Sequence, residues 1–157
     1  MLLDHLGLFV DDLTTATTRF ESRGFTVTPG GTNDPTHNAL IVFSNDTYIE
    51  LIALQSSRTW LMMRSLRYVG VLALRRWLKR DFRARLLDWV SGPQGLIGLY
   101  FRGAEITEVS TSCPLYCMDL TEPVQLQRHR PDGLVVAWRL RGANDPCQPF
   151  FIQEETP

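Results

Sequence analysis

The chain has 157 residues, of which 44% are hydrophobic and 21% charged, a composition typical of a globular protein that buries one core. The formal net charge of −1 gives no overall attraction to nucleic acid or to acidic membranes, and no apolar stretch is long enough to span a bilayer. The first residues lack the pattern of a signal peptide, and three cysteines without a CxxC spacing favour free thiols. We therefore expect a cytoplasmic protein with no nucleic-acid partner and no membrane span.

The first predicted strand lies within residues 3–13, which read LDHLGLFVDDL. Its apolar run is interrupted by His5 and is ended by the pair Asp11–Asp12, which can cap a following helix. Apolar residues at helical spacing then predict that helix, and Gly24 is placed to end it.

Three further strands are predicted in the first half of the chain. A short strand at residues 25–28 is closed by the breaker sequence PGG at 29–31, and a polar loop follows it. Continuous apolar residues predict a strand at 39–44, and the next strand, at 47–54, carries the carboxylate Glu50 in its middle. The order over residues 2–54 is therefore strand, helix, strand, strand, strand.

Two ionisable residues interrupt these apolar strands, and both are candidates for a functional site. Charged side chains are rarely buried without a partner or a metal. Strand alternation puts Glu50 on one face with Tyr48 and Ile52. If the sheet curls, Glu50 and His5 converge on a concave face.

Residues 57–91 predict two helices separated by Gly70, with apolar residues on one side and five arginines and lysines mostly on the other. The simplest interpretation is a helix pair that connects two halves and exposes a basic face to solvent. The alternatives are that these arginines attract an anionic substrate, a lipid surface or a partner, or that the apolar side forms a dimer contact.

The second half resembles a weaker copy of the first. Strands are predicted at 96–101, 134–140 and 150–153, with extended pieces at 116–120 and 124–128 and a short helix at 104–109. Aligning Gly7 with Gly98 places Leu96 at the position of His5. The sequence therefore predicts a duplication in which the histidine is not repeated.

Five segments, LDHLGLFVDDL, THNALIVF, TYIELIAL, PDGLVVAWRL and PFFIQ, together resemble the glyoxalase-like branch of the vicinal oxygen chelate superfamily. The resemblance covers most of the chain. It implies an α+β fold in which two βαβββ modules form a curved mixed sheet around a cleft. Module one would take residues 1–56, an inserted helical linker 57–92 and module two 93–157. The resemblance also suggests a homodimer.

The resemblance further implies a divalent metal, with a histidine from the first strand of a module and a glutamate from the last. His5 and Glu50 occupy these positions and suit zinc, nickel, manganese or iron, and Glu50 is also the predicted catalytic base. Leu96 replaces the expected second histidine, so His37, Gln153 or Glu154 would have to complete the ligand set. The predicted substrate-binding residues are His37, Asn38, Tyr48 and Trp138.

Three functions remain open from the sequence. The first is a metal-dependent lyase, isomerase or dioxygenase acting on a small oxygenated substrate, favoured by His5 and Glu50. The second is a metal-free module that binds or sequesters a small molecule, in which the aromatic residues Phe43, Tyr48, Trp138 and Phe151 matter more than His5. The third is a degenerate interaction domain that uses the basic helices.

Overall fold

The computed structural model of the chain describes residues 1–33, 35–56, 58, 61–62, 65, 89, 91–103, 106, 120–143 and 148–155. Nearly all of the predicted helical linker, the second-half helix at 104–109 and the strand at 116–120 lie outside these residues, as do the three cysteines. No helix within the described ranges is long and apolar enough to cross a membrane.

The described residues form eight strands and one helix of defined bounds. These are β1 (Leu2–Phe9), α1 (Leu13–Glu21), β2 (Thr28–Asn33), β3 (Thr36–Val42), β4 (Tyr48–Leu54), β5 (Gly95–Arg102), β6 (Val124–His129), β7 (Val135–Gly142) and β8 (Phe150–Glu154). The first half thus has the predicted order β1-α1-β2-β3-β4.

The eight strands close into a barrel in the order β1-β4-β3-β2-β6-β7-β8-β5. In each half the first and last strands are parallel, β1 with β4 and β5 with β8, and the remaining neighbours within each half are antiparallel. The halves therefore have the same strand topology, and the predicted curved mixed sheet is confirmed. The described residues are mainly β-structure, so the α+β class and the helical linker are not confirmed by them.

Two boundaries in the first half differ from the prediction. Strand β2 begins at Thr28 and runs through Pro29, Gly30 and Gly31, where a breaker was expected. A register shift between Pro29 and Gly31 marks a bulge that absorbs this sequence within the sheet. Strand β3 starts at Thr36, earlier than predicted, because seven consecutive residues of β3 pair with β4. Pairing with the neighbouring strands therefore outweighed the turn preference of the Pro-Gly-Gly sequence.

Helix α1 begins as the sequence predicts. The Asp12 side chain accepts a 2.7 Å hydrogen bond from the Thr15 amide and caps the first turn. The helix packs against β3 and β4, where Ala39, Ile41 and Leu51 are buried. The opposite face of these strands points into the barrel.

Strands β1 and β5 meet at a pair of glycines, because Gly7 and Gly98 are register partners in their antiparallel ladder. These are the two residues that the duplication alignment equates, so the two halves meet around this point. A Cβ atom on Gly98 would lie 3.1 Å from the Phe150 ring and 3.2 Å from the Tyr100 ring. A methyl group here would require these rings to shift by a few tenths of an ångström, so the glycine favours their close approach.

We predict that Gly98→Ala lowers the free energy of unfolding by about 1–3 kcal/mol, because the added methyl group overpacks the Tyr100–Phe150 stack. Urea denaturation followed by circular dichroism measures this. Leu96→Ala, on the same strand but 61% exposed, is the control and should cost about 0.5 kcal/mol or less. Equal losses for the two variants would contradict the packing argument.

Candidate functional site

The barrel contains a cavity of about 250 Å³ that both halves of the chain line. The first half contributes His5, Asn38, Tyr48 and Glu50, and the second half contributes Tyr100, Arg128 and Trp138. The predicted residues His5, Asn38, Tyr48, Glu50 and Trp138 thus lie around one space.

His5 is the middle ring of a three-ring stack. It is 3% exposed, with the Tyr48 ring 4.5 Å away on one side and the Tyr100 ring 3.9 Å away on the other, both nearly parallel to it. Strand register explains this, because His5 pairs with Tyr48 on β4 and with Tyr100 on β5. The two tyrosines cover both faces of the imidazole, so its polar edge alone remains for chemistry.

Asp4 binds one of the two nitrogen atoms on the polar edge of the His5 ring. Its carboxylate lies 2.6 Å from Nδ1 of His5, and because a carboxylate can only accept, Nδ1–H donates. Adjacent residues of a regular strand point in opposite directions, but the β1–β5 register shifts between Leu3 and His5, which lets Asp4 and His5 meet. Arg102 lies 3.5 Å from the other Asp4 oxygen and balances its charge.

Glu50 contacts three polar side chains from three strands. Its Oε1 accepts a hydrogen bond from the Asn38 amide and lies 3.7 Å from the Arg128 guanidinium. Its Oε2 lies 3.5 Å from Nε2 of His5. The Glu50 side chain is only 16% exposed, so these contacts replace most of its hydration.

Two buried polar atoms beside Glu50 have no hydrogen-bond partner within the described residues. They are Nε of Arg128, a donor, and Oδ1 of Asn38, an acceptor. The Arg128 guanidinium also lies 6.0 Å from the centre of the Trp138 ring, at the outer limit of a cation–π contact. Unpaired buried polar atoms are rare and call for an explanation.

The other predicted site residues fall in different places. His37 borders the cavity, but strand alternation puts its side chain on the α1 face of β3. Leu96 is 61% exposed and does not line the cavity. On β8, Glu154 lines the cavity, whereas Gln153 accepts a 3.3 Å hydrogen bond from the Ile106 amide.

Asp4 and Arg128 belong to the site but were not predicted from the sequence. Asp4 is a charged residue within an apolar strand, but a regular strand would have pointed it away from His5. Arg128 follows Val124 and Leu126 at alternate positions of β6, and all three are half-buried. That alternation was the available signal for an inward-facing arginine.

The pKa of the Tyr48 phenol is raised above its ordinary value, chiefly by burial and secondarily by the nearby Glu50 and Asp4 charges. The folded state therefore holds this proton more tightly than the unfolded state does. The resulting stability is fully present below about pH 10 and is lost as the pH rises further.

We predict that the free energy of unfolding of the wild-type chain falls more steeply above about pH 10 than that of Tyr48→Phe, by up to about 1.4 kcal/mol per pH unit. The reason is that only the wild type must keep this buried phenol protonated. Urea denaturation between neutral pH and about pH 11 measures the two slopes. Identical slopes would show that Tyr48 ionises freely in the folded state.

The donor set beside His5 does not fit a resident divalent metal. No group of three or more histidine, cysteine, aspartate or glutamate side chains in the described ranges is arranged to hold one. His5 and Glu50 offer two donors, and the permanently charged Arg128 already lies next to Glu50. Of the three residues predicted to complete the ligand set, Gln153 accepts from the Ile106 amide and His37 lies on the α1 face of β3. Glu154 lines the cavity, but in the described residues it does not form such a group with His5 and Glu50.

The family model of the glyoxalase-like domain matches residues 3–157, and no curated protein matches. A solved structure from Staphylococcus aureus, titled as a hypothetical protein, is similar with a TM-score of 0.67 and 21% identity. The match covers 99% of this chain, and this chain spans 59% of that protein.

Another solved structure of similar fold is a Streptomyces coelicolor methylmalonyl-CoA epimerase in complex with 2-nitronate-propionyl-CoA. Its TM-score is 0.52 at 14% identity, and the match covers 99% of this chain and 96% of the epimerase. At these identities the structural neighbours support the fold, and the family match identifies the domain. The chain belongs to the glyoxalase-like domain family, within the vicinal oxygen chelate superfamily, as the sequence resemblance predicted.

Proposed function

We propose that the barrel cavity binds a small uncharged molecule that carries a carbonyl-type oxygen next to a hydroxyl group. The single observation that carries this proposal is the pair of unpartnered buried atoms beside Glu50. Arg128 Nε–H requires an acceptor, and Asn38 Oδ1 requires a donor. Both side chains line the cavity and contact the same Glu50 oxygen, and in this proposal a bound molecule turns the two buried atoms toward itself and pairs with both.

The charges around the cavity favour a neutral ligand. Arg128 lies next to Glu50, and Arg102 lies next to Asp4, so each of these two buried carboxylates has a guanidinium beside it. An anionic head group at Arg128 would approach Glu50 as well, and a cationic one would approach Arg128. A neutral carbonyl and hydroxyl satisfy both free atoms without disturbing these pairs.

The rest of the cavity suits an apolar or aromatic body. Leu126, Trp138 and Ile152 line it, and Trp138 lies next to the polar end. A cavity of about 250 Å³ holds a molecule the size of a substituted benzene ring. The proposed ligand is therefore amphipathic, with two neighbouring oxygens on a compact hydrophobic body.

A pair of probes that differ in one hydroxyl tests this proposal. We predict that the wild type binds 2-hydroxyacetophenone about tenfold more tightly than acetophenone, because only the former donates to Asn38. Isothermal titration calorimetry of the purified chain measures both affinities. The affinity ratio, rather than either value, reports on the Asn38 contact.

Asn38→Leu should reduce this ratio to about one, since it removes the acceptor at nearly constant volume. The matched control is Gln127→Leu, the same kind of change on the exposed face of β6, which should keep the wild-type ratio. Equal affinities in the wild type, or a preference that survives Asn38→Leu, would refute the proposed ligand class.

A second candidate function, proton transfer on such a ligand, is favoured by the hydrogen bond between Asp4 and His5. Because Nδ1–H donates to Asp4, Nε2 of the neutral His5 ring carries a lone pair, and this nitrogen faces the cavity near Glu50. In the proposed step, the C–H bond next to the carbonyl breaks and its proton passes to Nε2. The electron pair moves onto the carbonyl oxygen, which accepts from Arg128.

We predict that the wild type accelerates exchange of the α-hydrogens of 2-hydroxyacetophenone with D2O, measured by proton NMR. His5→Phe preserves a ring between the two tyrosines and should abolish the acceleration while the probe still binds. The catalytic role predicted for Glu50 stays a prediction, which Glu50→Gln tests in the same assay. Exchange at the rate of buffer alone would rule out proton transfer on this probe.

A cytoplasmic location and a homodimer remain proposals that follow from the sequence and the family. The fold likeness to a methylmalonyl-CoA epimerase adds CoA thioesters as carbonyl compounds for a later ligand screen.

A further inference from the structure

The most unusual charge in the cavity is that of Arg128. Its side chain is only 17% exposed, on the inward face of β6 and beside the Trp138 ring. A guanidinium is always protonated in proteins, so this charge is permanent. In the described part of the chain, the carboxylate that it contacts is Glu50.

Glu50 depends on a nearby positive charge. A carboxylate that is 16% exposed loses most of its hydration, and the Asn38 amide supplies a hydrogen bond without charge. His5 is charged only when it takes up a second proton. Arg128 is therefore the fixed cation that offsets Glu50 at neutral pH.

A divalent ion bound to His5 and Glu50 would meet this guanidinium at close range. Arg128 is 3.7 Å from Oε1 of the same carboxylate whose Oε2 faces His5, and repulsion between like charges is strong where water is excluded. The Asn38 amide is bonded to the same oxygen. Metal binding at Glu50 would require that the guanidinium move away.

We propose that Arg128 is a built-in cation that takes the electrostatic place of a divalent metal beside Glu50 and excludes that metal from the site. This inference does not depend on which molecule the cavity binds. The second half of the chain then contributes the positive charge of Arg128, on β6, whereas the family pattern would have it contribute a metal ligand on β5. A ligand in the cavity would then meet a hydrogen-bond donor rather than a metal ion.

The first test is Ni²⁺ binding to the purified chain, measured by equilibrium dialysis after removal of metal with a chelator and then of the chelator. Arg128→Gln should bind Ni²⁺ at least about tenfold more tightly than the wild type, and addition of Glu50→Gln should abolish that gain. Arg130→Gln, whose partner is Asp132 on the surface, is the matched control and should behave as the wild type does. Binding that persists in Glu50→Gln belongs to other donors and is subtracted.

The second test is a thermal-unfolding cycle of Glu50→Gln, Arg128→Gln and the double variant, which covers the case that Arg128→Gln folds poorly. Removing Arg128 alone leaves an uncompensated buried carboxylate, so the double variant should have a higher Tm than Arg128→Gln. Two outcomes would overturn the proposal. One is Glu50-dependent Ni²⁺ binding of equal strength in the wild type and Arg128→Gln, and the other is strictly additive Tm shifts.

Discussion

The pairing of β1 with β5 around Gly7 and Gly98 is the constraint on which the site depends. It joins the two halves of the chain and places Tyr100 across from His5, while the parallel pairing of β1 with β4 places Tyr48 on the other side. The missing side chains of the two glycines make room for the aromatic rings that pack there. A stack of three rings from three adjacent strands follows directly from these two registers.

The charged side chains of the site also join the two halves of the chain. Five side chains form a chain of neighbours across the cavity wall, in the order Arg102, Asp4, His5, Glu50 and Arg128. Each carboxylate lies between the imidazole and one arginine, and the arginines come from β5 and β6 of the second half. The first half therefore supplies the acidic groups and the imidazole, and the second half supplies the permanent cations. Neither half could compensate the buried charges of this site alone.

Much of the fold could be predicted from the sequence because its strands are strongly apolar and its turns follow known chemistry. The cap at Asp12 and the equivalence of Gly7 with Gly98 were read from single residues. The extent of β2 and β3 could not be read in this way, because pairing with neighbouring strands overrides the Pro-Gly-Gly turn signal.

The convergence of His5 and Glu50 also followed from the sequence, since two ionisable groups in apolar strands need partners. Asp4 was missed because a single-residue shift in register reverses the direction of a side chain. The alternation of β6 could have indicated that Arg128 faces inward, but its contact with Glu50 was missed because β6 and β4 are not neighbouring strands and such a contact leaves no local pattern. The predicted metal ligands assumed that a histidine lost at position 96 would be replaced by another donor. The structure instead places a guanidinium beside Glu50.

The junction between β2 and β6 gives the barrel a weak seam. Its register consists of one residue pair, Thr32 with His129, whereas β3 and β4 share seven. Gly31 lies against the His129 carbonyl at this seam with a φ of 141°, so the two backbones approach closely there. Local opening costs least where few backbone hydrogen bonds must break. The amides of β2 that face β6 should therefore exchange with solvent before those of β1.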